Sequence, residues 1–270
     1  MRFKKGGKMV NIGIRYVNIE KNTEGIVIGG DKGIRSRPSV GGMILECDPF
    51  IPLYEFPVLF APASFFYSAA IHDFANTIRN FLYEYFKPKS FSVSSFTNLI
   101  AELDCALSKR LNSYYPNGIE KYEYIKFDFD FFLAGSDTKG EAFLYYIRIK
   151  NSVDIEDIKS VPGFGITLCG AAEGMVFLKE ILQDREIISR EEAIIIAVCI
   201  LEILRRIIDY MANKYILLIL ENGKINRLHD DVVEKLRGFA DYRWNALWTT
   251  LRNGLKYPLY FDFIKDKIGG

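Results

Sequence analysis

Two different spacings of apolar residues divide this chain, and their order constrains its fold more than any other feature. Val10–Asn18 (V-N-I-G-I-R-Y-V-N) and Gly25–Gly30 (G-I-V-I-G-G) are short apolar runs with strand character, joined by a turn at Lys21–Thr23. Met43–Cys47 and Phe56–Ala61 read as two more short strands, beyond an Arg35–Gly42 loop rich in Ser, Gly and Pro. From Ala63 to Phe86 the period changes: Phe66, Ala70, Phe74, Ile78, Phe81, Leu82 and Tyr85 recur at three and four, which predicts an amphipathic helix ended by Lys87-Pro88. A second helix, capped by Ser94 or Ser95, runs to about Tyr114 with Leu99, Leu103, Ala106, Leu107 and Leu111 on one face, and Pro116-Asn117-Gly118 stops it.

Strand spacing then returns at Tyr124–Ala134 and Ala142–Ile149. The alternation Phe127–Phe131 (F-D-F-D-F) sets three aromatics on one face and two carboxylates on the other. After a loop around Pro162-Gly163-Phe164-Gly165, Ala171–Leu182 reads as helical. Ser189 with Glu192 makes a capping box for a long helix to about Met211. Tyr215–Glu221 is a strand turned by Asn222-Gly223. Asp230–Leu251 is a last helix, with Val233, Leu236, Ala240, Trp244, Leu247, Trp248 and Leu251 as its stripe. Strand pairs alternating with helix pairs predict an α+β domain of antiparallel sheets covered by helices. With no linker or repeat in 270 residues, the chain reads as one domain, 1–270.

Composition narrows the partners. Lys+Arg number 35 and Asp+Glu 34, so no net field gathers nucleic acid or an anionic membrane. The apolar run Ala193–Ile208 is broken by Glu202, Arg205 and Arg206, and Tyr215–Leu220 is far below the roughly 20 residues of a spanning helix. The basic start MRFKKGGKM leads into no secretory apolar segment. A cytoplasmic, soluble protein is the expectation. Cys47, Cys105, Cys169 and Cys199 form no CxxC pair and read as free buried thiols; with only His72 and His229 beside them, no metal or other cofactor is expected. A single glutamine, Gln183, with abundant Ile, Lys and Glu, is a hyperthermophile-like cue.

Several patterns, taken in order, resemble the proteasome subunit family. Val10-Asn11-Ile12-Gly13-Ile14 with Gly25–Lys32 is similar to its opening strand pair, and Met43–Asp48 to its K-I-F-x-I-D segment. Phe132–Asp137 followed by Gly140 and Leu144-Tyr145 resembles its L-x-A-G-x-D…G-P-x-L-Y hairpin. Gly163-Phe164-Gly165 stands where the family has G-S-G, and Ile188–Ala193 is similar to the start of its next helix. The likeness covers about Val10 to Leu220, and the chain from about 228 departs from it as a divergent helical extension. It implies the proteasome-like N-terminal-nucleophile hydrolase fold, a four-layer αββα sandwich of two antiparallel sheets between helical layers.

Active members of that family attack with an N-terminal threonine whose own amine is the base. Here Met9 or Val10 holds that place, and no Ser, Thr or Cys occurs from Met1 to Tyr16. Thr23 comes first, and a cut there deletes the opening strand. The family's lysine aligns with Met43, which holds no proton, and the serine of G-S-G with Phe164. Two carboxylates remain as candidate remnants of the site: Asp31, ending the second strand, and Asp209, near the end of the long helix. A turn carboxylate for Asp31 and a solvated helix-end residue for Asp209 are the simpler readings, since carboxylates without the nucleophile have no acyl chemistry to support. Elsewhere, His72 beside Asp73 reads as a core-edge histidine, and in His229-Asp230-Asp231 helix capping by Asp230 competes with metal binding. The resemblance therefore implies an inactive subunit or homologue, homo- or hetero-oligomeric, with a ring as one form of assembly, that assembles with or binds a peptide or protein partner. An active threonine-type peptidase or acyl transferase with an atypical nucleophile, and an unrelated α+β enzyme with a small-molecule pocket, stay open.

Overall fold

The structure is a computed structural model describing residues 10–18, 21–32, 34–35, 44–45, 49–62, 68–116, 129–158, 166–169, 189–207 and 214–254. The described residues form a mixed α+β fold with two five-stranded antiparallel sheets. The first runs β10 (Ile166–Cys169), β1 (Asn11–Asn18), β2 (Thr23–Asp31), β11 (Tyr215–Glu221), β12 (Lys224–Arg227). The second runs β5 (Ile51–Pro52), β6 (Val58–Pro62), β7 (Phe129–Ser136), β8 (Ala142–Ile149), β9 (Val153–Asp157). A separate two-residue pair joins β3 (Ile34–Arg35) to β4 (Ile44–Leu45).

The central strands are buried on both faces, which is why their sequences are nearly continuously apolar rather than cleanly alternating. On β1 and β2, Ile12, Ile14, Tyr16 and Val27 turn outward to α4 (Arg190–Ile207) and α5 (Asp230–Gly254). Ile26 and Ile28 turn inward to meet Phe132, Ala134 and Leu144 of the second sheet. That sheet's outer face, with Phe60, Phe129, Phe131 and Phe143, packs on α1 (Ser68–Tyr85), α2 (Val93–Thr97) and α3 (Ile100–Ser113). The aromatic alternation of β7 behaves as expected where it is described: Phe129 and Phe131 are buried, while half-buried Asp130 accepts a hydrogen bond from the Tyr146 hydroxyl at 2.8 Å.

Several expectations change. The helix expected to reach Tyr114 is two pieces broken at Asn98–Leu99, with Leu99 as the N-cap of α3. Neither serine caps α2; its N-cap Ser92 makes no side-chain cap bond, and the Val93 amide is taken instead by the Asp137 carboxylate from the β7–β8 turn at 3.0 Å. Four strands, β3, β5, β9 and β10, are additional to those the sequence predicts. The strand expected at Phe56–Ala61 starts at Val58, and Pro116 is described while Asn117 and Gly118 are not. At α4 the serine half of the capping box forms, the Glu192 amide donating to Ser189 Oγ at 3.0 Å. Asp230 is not an N-cap but the first residue of α5, ion-paired to Arg227. Its Val233 and Ala240 are buried in the same apolar cluster as β1 and β2. The helix expected at Ala171–Leu182, residues 63–67 and 124–128, the start of the C-terminal segment at 257 and all beyond it, and the G-S-G-like 163–165 lie outside the described residues. Among the described residues no helix is long and apolar enough to cross a membrane.

Candidate functional site

The two ends of the double sheet differ in chemistry, and Asp31, singled out from the sequence, falls at one of them. There β1 begins, β2 ends, β11 begins and β6 ends. Asp31 is fully buried: its Oδ1 accepts the Val10 amide at 2.8 Å, and its own amide donates to the Val10 carbonyl at 3.2 Å. Tyr215 pairs with Asp31 across the β2–β11 ladder, and the Lys32 amide donates to the Lys214 carbonyl at 2.7 Å. The carboxylate thus fastens the start of β1 to the end of β2.

Asn11 completes this end. It is fully buried, and its Nδ2 donates to the Pro62 carbonyl at 2.6 Å, bridging the two sheets. Its Oδ1 has no partner. That oxygen occupies the space a side chain on Gly30 would need: a Cβ there would stand 2.2 Å from it and 3.0 Å from Phe50. Glycine at 30 is thus a packing requirement of the buried amide.

Among the residues of this end whose side chains are described (Val10, Asn11, Gly30, Asp31, Lys32, Pro49, Phe50, Pro62 and Lys214), none is a serine, threonine or cysteine. Cys169 is the backbone register partner of Asn11 on β10. Of the other positions assigned from the resemblance, Asp209, Met43 and Phe164 lie outside the described residues.

Behind Asp31, beneath α4 and α5, lies a second polar centre. Glu202 of α4 is buried, and three arginines converge on its carboxylate: Arg205 Nε at 3.0 Å, Arg237 Nε at 3.4 Å and Arg206 Nε at 3.7 Å. The Tyr215 hydroxyl donates to the same carboxylate at 3.0 Å, and burial first, then the Glu202 charge, pushes its pKa well above the usual tyrosine value. Arg206 also pairs with Asp241, and Arg237 with Glu234. Three cations are thus matched by three carboxylates, an arrangement that locks two helices to a strand. The sequence signal was present in the charges interrupting an apolar helix, where they served only to argue against a membrane span.

The remaining candidates do not gather. His72 is exposed on α1 rather than at the core edge, because the helix turns Ile71 and Phe74 inward. Its neighbour Asp73 receives Tyr114, the C-cap of α3, and Arg110 of α3, which hold its pKa below the usual aspartate value. Arg227–Asp231 line a shallow depression containing His229, yet no cluster among the described residues has the donors for a metal ion. Cys105 is exposed and Cys199 half-buried, so the expectation of uniformly buried thiols fails at Cys105, on the solvent side of α3. Neither is disulfide-bonded.

Comparison with known proteins matches the chain to no protein-family model and to no curated protein.

Proposed function

We propose that this chain is a non-catalytic, proteasome-like subunit or homologue, a four-layer αββα sandwich acting in assembly or partner binding. The observation that carries the reading is the engagement of Val10. At the place where the resemblance puts a nucleophile, an apolar side chain sits on an internal backbone amide already bonded to Asp31. An N-terminal-nucleophile enzyme needs a hydroxyl or thiol there, with a free amine beside it. The element order, the helices on the outer face of each sheet and the carboxylate ending β2 all support the kinship. Thr23 supports no alternative start: it lies in the β1–β2 hairpin, and cleavage there would strip β1 from both β2 and β10, leaving their backbone groups unpaired.

The test is native mass spectrometry of the protein purified from its own host, with an electrophilic probe for N-terminal nucleophiles added in parallel. The expected result is an integer multiple of the chain mass and no adduct. A single-chain mass at micromolar concentration would sink the assembly role, and an adduct on a new N-terminal Thr or Ser would sink the non-catalytic one.

One observation favours a second reading, an atypical nucleophile. Cys169 lies opposite Asn11 in the β1–β10 register, one residue from Val10. Covalent labelling of the folded protein at Cys169, lost in Cys169→Ala, would promote that reading; a probe that leaves Cys169 unmodified would remove it.

A further inference from the structure

Among the described residues each sheet ends on one side in a charged strand, and the two charges have opposite sign. β9 reads V-D-I-E-D, with Asp154, Glu156 and Asp157 all exposed; β12 reads K-I-N-R, with Lys224 and Arg227 exposed. Between the charges stand half-buried apolar residues: Val153 and Ile155 on β9, Ile225 on β12.

The hydrogen-bond phase shows which backbone groups are available. Leu228 N donates to Leu217 O at 3.0 Å, so in the β11–β12 register Lys224 and Asn226 bond inward while Ile225 and Arg227 turn N–H and C=O outward. Ile158 N donates to Leu144 O at 2.8 Å and Lys150 N to Ser152 O at 3.0 Å. In that phase Asp154 and Glu156 bond to β8, and Val153, Ile155 and Asp157 turn outward. β1 packs over β8 and β11 over β7, so β12 and β9 lie on opposite flanks of the sandwich.

We propose that β12 of one copy of this chain adds to β9 of the next, extending the first sheet of one copy into the second sheet of its neighbour. The occupant of each edge is thus a second copy, and the argument is charge complementarity. Charge on an exposed edge ordinarily blocks pairing. Here it blocks β9 from β9 and β12 from β12, while leaving the mixed pair attractive; that combination of attraction and repulsion makes the contact specific. Strand addition supplies main-chain bonds, and the apolar residues at alternate positions supply contact area. Because the two surfaces differ and lie on opposite flanks, the contact is head-to-tail and closes into a ring or runs on as a filament. Arg227 also holds Asp230 of its own chain at 2.9 Å, so Lys224 is the freer cation.

This inference rests on the assembly reading above, and the experiment separates the two. Sedimentation velocity and native mass spectrometry are run on wild type, on Asp154→Lys/Glu156→Lys, on Lys224→Glu/Arg227→Glu, and on the chain carrying all four changes. Each pair alone is expected to weaken assembly at least about tenfold, and the four together to restore it, since the charges are then exchanged rather than lost. Circular dichroism checks folding. Should Arg227→Glu unfold the start of α5, Val153→Pro removes an outward N–H of β9 without touching its bonds to β8, and the same loss of assembly is expected. Oligomers indifferent to both reversals and to Val153→Pro would overturn the edge contact while leaving assembly in place. A monomeric wild type would overturn the assembly reading, and the edge contact with it.

Discussion

One end of the double sheet is stitched across by turns, whereas the other meets through the side chain of Asn11 and a buried aspartate. At the turn end, Glu24 N donates to Gly140 O at 2.7 Å and Gly223 N to Ser136 Oγ at 3.2 Å, so three hairpins from both sheets are tied directly. Asp137 organises them: its carboxylate takes Lys139 N at 2.8 Å, Val93 N at 3.0 Å and Glu141 N at 3.2 Å. At the other end Asp31 secures β1 to β2 within one sheet, and Asn11 reaches across, to Pro62. Two buried aspartates at opposite ends thus do different jobs. One closes a turn and caps a helix 44 positions away. The other holds a strand terminus where the resemblance puts catalysis. A buried carboxylate at a strand end thus takes a backbone amide of the neighbouring strand and holds it in register.

The largest effect should come from breaking the better-tied end. Asp137→Ala leaves one buried amide donor, Val93, and two part-buried ones without their acceptor, a loss of about 3 kcal/mol on the scale of hydrogen bonds to a charged group. Chemical denaturation measures it, and Asp137→Asn, which keeps an oxygen acceptor, should recover part. A change below about 1 kcal/mol would mean the turn holds itself without the carboxylate.

The other end has a different weak point, its packing. Gly30→Ala places a methyl against Asn11 Oδ1 and Phe50, and overpacking of this kind costs about 2 kcal/mol. Asn11→Ala in the same chain removes the obstructing oxygen, so the two changes should be non-additive, with the double variant more stable than their sum by about 1 kcal/mol. Strict additivity would show that Gly30 is needed for a reason other than Asn11.

How much of this was legible in the sequence depends on how local the cause is. β1, β2, β8 and β11 were readable because each is a run of apolar residues bounded by turn residues, and α4 because Ser189 and Glu192 sit at capping-box spacing. The start of α2 at Val93 was not, since the group that takes the Val93 amide is Asp137, beyond any local window. β9 escaped because V-D-I-E-D alternates like an edge strand but carries three acids, and β10 because four residues beside a glycine-rich stretch make no pattern. Asp31 was found by position, yet its bond to Val10 was not; Asn11 gave no signal, being polar where strand reading expects only an apolar face. Glu202 and its arginines were visible as charges, but their convergence needs α5 folded back on α4.

A buried tyrosine at each end offers the smallest and sharpest contrast. At the start of β11, Tyr215 gives its hydroxyl to Glu202 at 3.0 Å and also meets the Leu201 carbonyl at 3.3 Å. At the turn end Tyr16 is fully buried over Gly25, and its hydroxyl has no partner. Tyr215→Phe should therefore cost about 1.5 kcal/mol, leaving a buried carboxylate short of a donor, while Tyr16→Phe should be neutral or stabilising by up to about 1 kcal/mol because it removes an unsatisfied group. Both pKa values are raised, mainly by burial and further by the nearby Glu202 or Glu221. A raised tyrosine pKa means that the folded state keeps a proton the unfolded chain releases near pH 10. The associated stability is complete below that value and falls as the pH climbs through the folded values. Denaturation midpoints followed from pH 8 upward should drop beyond about pH 10, less steeply in either Phe variant. If Tyr16→Phe were as destabilising as Tyr215→Phe, the Tyr16 hydroxyl would have to be satisfied in solution, and the two ends would be more alike than their hydrogen bonds indicate.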